Sequence, residues 1–262
     1  QEIAGYPLIM VALVIWHYRM TSDVEYLRSN YPQVVRLLEA YRRDYEKEGL
    51  LRDLDKWCVV EWPKNFQHDY DADIREGQVC KTAHISINAY YISAIRITNI
   101  MAKALCVEPY RDEEPLIAAF NKAFYNTEKK LFRDSEGSYH ISLVGNSFVY
   151  GFNLYPNAEC KRNILKLIDE HGIDSLSFFC TFPILMRFAK DGESERMKAA
   201  LLNEGTWKRM LKEDATTTFE GWGRDTKWNT SLFHLTMSYV ALFLADVDLK
   251  QLFLHLHPHI YA

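Results

Sequence analysis

The chain has 262 residues, 48% of them hydrophobic and 25% charged, with a formal net charge of −4 at pH 7. That is enough apolar material for a sizeable core, and the charge is spread along the chain instead of gathered in a basic run, which argues against nucleic acid or an anionic membrane as a partner. Cys58, Cys80, Cys106, Cys160 and Cys180 are widely spaced with no C-x-x-C pair, so buried free thiols are expected rather than a disulfide framework or a zinc site.

The first predicted element is an apolar helix over 6–20. Its stretch YPLIMVALVIWHY is too short to span a bilayer and lacks the basic flank and cleavage pattern of a signal peptide. Gln1 stands where Met would begin a chain and no linker precedes this helix, so a piece of a longer protein is expected. Val34, Leu37, Leu38, Tyr41 and Tyr45, and then His84, Ile87, Tyr91, Ile95, Thr98 and Met101, recur at intervals of three and four and predict two amphipathic helices. Further helices are predicted over 116–129, 158–170, 177–190, 194–211 and 230–246, with Asn157, Ser175 and Ser194 as start signals.

Between these lie irregular stretches, 49–80, 131–147 and 213–229. They exceed ordinary helix connections, and loops of that length in a compact domain tend to be functional. A short hairpin is expected in LFRDSEGSYHISLVGN, turning at Glu136–Gly137. No βαβ rhythm, glycine-rich phosphate loop or sequence repeat is visible, so the expected class is all-α, built from helical hairpins, with one domain over 1–250 and a tail over 251–262. Aromatic content of 14% suits a protein that binds apolar sugar faces and equally suits a Tyr-rich core.

The first long loop, KWCVVEWPKNFQHDYDAD, gathers Trp57, Glu61, Trp62, His68, Asp69, Asp71 and Asp73. Carboxylates beside rings fit a polyol with an apolar face. The same residues fit a solvated acidic loop anchored by two tryptophans, since Asp is a favoured turn residue. As a cation site, His68 with Asp69, Asp71 and Asp73 lacks the Gly and distal Glu of a calcium loop, and His255, His257 and His259 sit in an apolar tail. Neither a metal nor a cofactor is expected.

The strongest candidate is TTTFEGWGRDTKWNTSLFH, residues 216–234. Phe219 and Trp222 flank Glu220, and partial desolvation by those rings would raise its pKa toward the range useful to a general base. The competing reading is an ordinary loop ion pair with Arg224 or Lys227.

This stretch resembles the α-L-rhamnosidases of family 78 of the glycoside hydrolases, whose barrel carries a Thr-Thr-x-[Trp/Phe]-Glu-x-Trp run followed by Ser-Leu-x-His. Here those positions are Thr217, Thr218, Phe219, Glu220 and Trp222, then Ser231, Leu232 and His234. RMTSDVEYLRSNYPQVVRLLEAY is similar to the family's first helical hairpin, and VVEWPKN falls where the family has Asp-Trp. The similarity runs in order from about residue 6 to 247. It implies an (α/α)6 toroid of helical hairpins, incomplete at its N-terminus, and inverting hydrolysis of terminal α-L-rhamnosides on a carbohydrate substrate.

By the same resemblance, Glu220 is the general base, and Trp62, Trp222 and His234 contact the sugar, with Asp69 beside them in the acidic loop. Inversion needs two carboxyl groups about 6.5–9.5 Å apart. The family's acid loop precedes the hairpin at which this sequence starts, and Glu2 in QEIAGY is not given that role, so the chain alone is expected to be inactive. Two other readings stay open: a sugar-binding module without catalysis, and another (α/α)6 enzyme of the glucoamylase or unsaturated glucuronyl hydrolase type. The last of these would need basic residues for a uronate, whereas the motif loops are mainly acidic and aromatic.

Overall fold

The computed structural model describes residues 2–58, 60, 82–176 and 178–244. The first loop from Glu61 through Trp62, His68, Asp69, Asp71 and Asp73, and the tail with its three histidines, lie outside these residues, and so does the expected boundary near 250. Among the described residues the elements run α1 (Gly5–Thr21), α2 (Val24–Tyr45), β1 (Glu46–Lys47), β2 (Leu50–Leu51), α3 (Ile85–Ala104), α4 (Glu114–Phe124), β3 (Tyr125–Asn126), β4 (Leu131–Phe132), α5 (Leu143–Gly151), α6 (Ala158–His171), α7 (Phe178–Asp191), α8 (Ser194–Leu201), α9 (Trp207–Lys212) and α10 (Val240–Leu244). No described helix is long and apolar enough to cross a membrane.

Burial sorts the helices into two layers. All of α5 and most of α3 are buried, the pattern of a helix surrounded by others. By contrast α2, α4 and α6 bury one stripe each: Leu27, Val34, Leu38 and Tyr41; Leu116, Phe120 and Phe124; Cys160, Ile164, Leu165 and Ile168. Alternate helices pack on one another, α1 on α3, α3 on α5 and α5 on α7, while α2 and α6 lie against their sequence neighbours. The approach of α5 to α7 depends on Gly151, where a Cβ would meet the Cβ of Pro183 at 2.4 Å.

Helices α3 and α5 start together and run the same way: Ile85 lies against Gly145, Ile85 N donates to Asp134 O, and further along Tyr90 meets Phe148. Phe179, at the start of α7, meets Tyr6 near the start of α1 and accepts from the Tyr90 hydroxyl. The segments that precede α3, α5 and α7 therefore lie toward one end of the helices. Two of these begin with the same small device. The hairpin β1–β2 is pinned by Asn88 of α3, which accepts from Leu51 N at 2.7 Å and donates to Leu51 O and His84 O. The hairpin β3–β4 is pinned by Asn146 of α5, which accepts from Phe132 N at 2.9 Å and donates to Phe132 O and Ser142 O. Each Asn lies four residues after its helix cap, and each hairpin ends in Arg-Asp, Arg52–Asp53 and Arg133–Asp134. The sequence carries a structural repeat that its residue types conceal.

Several expected boundaries are corrected. The helix predicted over 116–129 stops at Phe124, because Tyr125 turns extended and pairs with Phe132. The hairpin is therefore 125–132 and not centred on Glu136–Gly137, and the second half of the expected loop is helix α5, whose cap Ser142 accepts from Gly145 N at 2.9 Å. A break at Asn203–Thr206 divides 194–211 into α8 and α9, and the helix predicted from 230 begins as a 3-10 turn at Leu235–Met237 followed by α10. Asn157 caps α6 as expected, accepting from Cys160 N. Cys58, Cys160 and Cys180 are buried, whereas Cys106 is exposed.

Candidate active site

Residues 213–234 form an irregular loop between α9 and the 3-10 turn. Glu220 and Ser231 hold its two arms together: Glu220 N donates to Ser231 O at 2.9 Å, and Ser231 N donates to Glu220 Oε2 at 3.0 Å. One step out, His234 N donates to Thr218 O at 2.8 Å and Thr218 Oγ1 donates to His234 O at 2.7 Å. The far turn closes on itself through Thr230 Oγ1, which accepts from Lys227 N and donates to Lys227 O. Gly221 permits the fold-back, since a Cβ there would meet Thr226 Cγ2 at 2.4 Å.

Glu220 is a half-sequestered carboxylate, its side chain 13% exposed. Burial pushes its pKa up, but the Lys227 ammonium, donating to Oε1 at 2.6 Å, the Ser231 N–H and the nearby His234 outweigh that and bring the net value below the ordinary 4.5. The raised pKa expected from the flanking rings is thus corrected. The ion pair is with Lys227. Arg224 is committed elsewhere: its N–H donates to Glu213 Oε2 at 2.7 Å, its guanidinium donates to Glu213 O, and it lies over the Phe219 ring.

Trp222 is also corrected. It is 2% exposed, its indole N–H donates to Leu176 O, and its ring meets Trp207 edge-on with centroids 4.8 Å apart. It is the anchor that fastens the Glu220 loop to the segment leading into α7, with no face open to a sugar. The rings that the loop does expose are Trp228, 95% exposed at the tip of the Lys227–Thr230 turn, and Phe233. Sequence reasoning passed over both because neither falls in the Glu-x-Trp run.

The structure thus brings Glu220, Lys227 and His234 together and buries Trp222, while Trp62 and Asp69 lie outside the described residues. Two further acids of the loop face cations: Glu213 pairs with Arg209 at 2.9 Å, and Asp225 also pairs with Arg209. No group of His, Cys, Asp and Glu able to hold a metal ion occurs among the described residues.

Residues 2–247 match the sequence profile of the bacterial alpha-L-rhamnosidase 6 hairpin glycosidase domain. Among solved structures, a family 78 rhamnosidase of Bacillus sp. GL1 superposes over 91% of this chain and 26% of its own, with a TM-score of 0.71 and 16% identity. A rhamnosidase from Klebsiella oxytoca with rhamnose bound superposes over 93% of this chain and 47% of its own, with a TM-score of 0.71 and 13% identity. For Streptomyces avermitilis α-L-rhamnosidase complexed with L-rhamnose the shares are 86% and 22%, with a TM-score of 0.63 and 17% identity. The chain spans less than half the length of each of these proteins. Among curated proteins there is no match.

Proposed function

Since the chain belongs to the family of bacterial alpha-L-rhamnosidase six-hairpin glycosidase domains, we propose that it carries the general-base half of a site that hydrolyses terminal α-L-rhamnosides with inversion at the anomeric carbon. The observation that supports this best is the setting of Glu220: a half-buried carboxylate, ionised at neutral pH, in a loop of the 2–247 match. Each carboxylate oxygen accepts one hydrogen bond from the protein, and a carboxylate offers about four acceptor positions. Room remains for an attacking water, whose proton Glu220 would take as the oxygen bonds to the anomeric carbon.

An inverting reaction also needs an acid on the opposite face of the sugar. Glu213 and Asp225 are held by arginine, and the acid is proposed to come from another segment. In this reading His234 donates or accepts at a sugar hydroxyl, and the exposed Trp228 and Phe233 offer apolar faces. Trp62 and Asp69 remain proposed sugar contacts on the strength of their loop alone. No cofactor takes part.

The Lys227 ion pair favours a second reading, a sugar-binding module in which Glu220 only fixes the loop. Hydrolysis of an aryl α-L-rhamnoside by the full-length protein, followed by proton NMR, separates the two. The first-formed sugar is β-L-rhamnose if the proposal holds; α-L-rhamnose formed first rules out inversion, and absence of turnover together with rhamnose binding supports the module.

A further inference from the structure

A second polar cluster lies at the same end of the helices as Glu220 and takes no part in the chemistry above. Asp134 is fully buried. Its Oδ1 accepts from Ser142 Oγ at 2.6 Å and Ser142 N at 3.1 Å, and its Oδ2 lies 2.6 Å from His140 Nδ1. The imidazole is 40% exposed, so the buried carboxylate fixes by Nδ1 a ring that is partly open to solvent. Beside it Tyr139 is 89% exposed, with the Arg133 guanidinium 6.0 Å from its ring centroid.

Both Asn-pinned hairpins end in Arg-Asp, yet in the first copy Asp53 is a surface residue with φ of 51° paired to Lys47 at 2.8 Å. That hairpin is held without burial of its Asp, so the buried Asp134 serves its own partners, Ser142 and His140. The Asp134–His140 pair is more than the hairpin clamp requires. It is also rigidly mounted: Glu136 pairs with Arg52 at 2.7 Å and its N–H donates to Ala83 O, while Ile85 N donates to Asp134 O.

Its position suggests what it serves. The cluster precedes α5, the closest packing partner of α7, and the Glu220 loop is fastened by Trp222 to the segment that precedes α7. Neighbouring helix axes lie about 8–10 Å apart, so the two loops are neighbours along the rim and not parts of one ring-sized pocket. A fixed imidazole beside an open aromatic face is a pairing that receives the hydroxyls and apolar face of a neutral hexopyranose.

We infer that the 133–142 loop is a leaving-group subsite, in which Tyr139 stacks on the sugar to which rhamnose is attached and His140, positioned by Asp134, bonds one of its hydroxyls. This rests on the rhamnoside reading above. Titration calorimetry of the full-length protein with methyl α-L-rhamnopyranoside and with α-L-rhamnopyranosyl-glucose tests it. The disaccharide should bind about tenfold tighter than the methyl glycoside. Tyr139→Ala and His140→Ala, both at exposed positions, should each remove most of that advantage and leave methyl rhamnoside affinity unchanged, and the His140 ring signals should shift in NMR spectra with the disaccharide alone. Equal affinity of the wild type for the two sugars, or an advantage retained in both variants, overturns the subsite while leaving the rhamnoside reading intact. A wild type that binds neither sugar overturns the rhamnoside reading and the subsite with it.

Discussion

Lys227 sets the working state of Glu220. Removing the ammonium while keeping the bulk, as in Lys227→Met, leaves burial opposed by the Ser231 N–H and His234 without the lysine and moves the carboxyl pKa upward. Because the folded-state pKa lies below the ordinary value, the pairing stabilises the loop fully above about pH 4.5 and loses its contribution as the pH falls through the folded value. The acid limb of kcat against pH is expected to move to higher pH in Lys227→Met; a limb that stays in place separates Lys227 from the ionisation of Glu220. At this scale the sequence singled out Glu220 and His234 through a short motif, and the structure sets the two near one another. The sequence misplaced Trp222, because a ring next to a carboxylate in sequence has two directions to face, and the Leu176 carbonyl that draws the indole inward lies 46 residues away.

At the scale of elements, the two Asn-pinned hairpins fix where the segments before α3 and α5 enter their helices. Asn146→Ala removes three side-chain hydrogen bonds and leaves the buried Phe132 backbone groups unsatisfied, at about 1–3 kcal/mol per group. Urea midpoints are expected to fall accordingly for Asn146→Ala and for the matching Asn88→Ala, and a loss below about 0.5 kcal/mol in both would contradict a shared clamp. Long amphipathic helices were readable from spacing alone, as α2, α4 and α6 demonstrate. Helix α5 was not, because LVGNSFVYG is buried on every side and so shows no polar stripe, and its two glycines read as loop although one of them serves the contact with Pro183. The hairpins were hidden for a related reason: two-residue strands are too short to alternate, and the Asn residues that hold them belong to the following helices.

Across the whole molecule, α1 is the element whose apolar surplus is least covered. Leu8, Val11 and Ile15 are buried, while Tyr6, Met10, Leu13 and Met20 form an exposed stripe on the other side. The sequence reading of α1 as a buried helix is therefore half met. Exposed apolar stripes favour association, so Met10→Lys with Leu13→Lys in this 262-residue chain is expected to reduce concentration-dependent sedimentation and to leave stability within about 0.5 kcal/mol. Undiminished association would show that another surface drives it.

The central claim is that Glu220 accepts the proton of the attacking water, and replacing it with Gln keeps shape and hydrogen bonding while abolishing the acceptor. The decisive measurement is kcat on an aryl α-L-rhamnoside for the full-length protein and its Glu220→Gln variant, with folding checked by circular dichroism. Loss of a general base lowers the rate by about 10²–10⁴-fold, and that is the predicted result, with little change in KM; a folded Glu220→Gln protein that turns over within about threefold of wild type, far short of that loss, would contradict it.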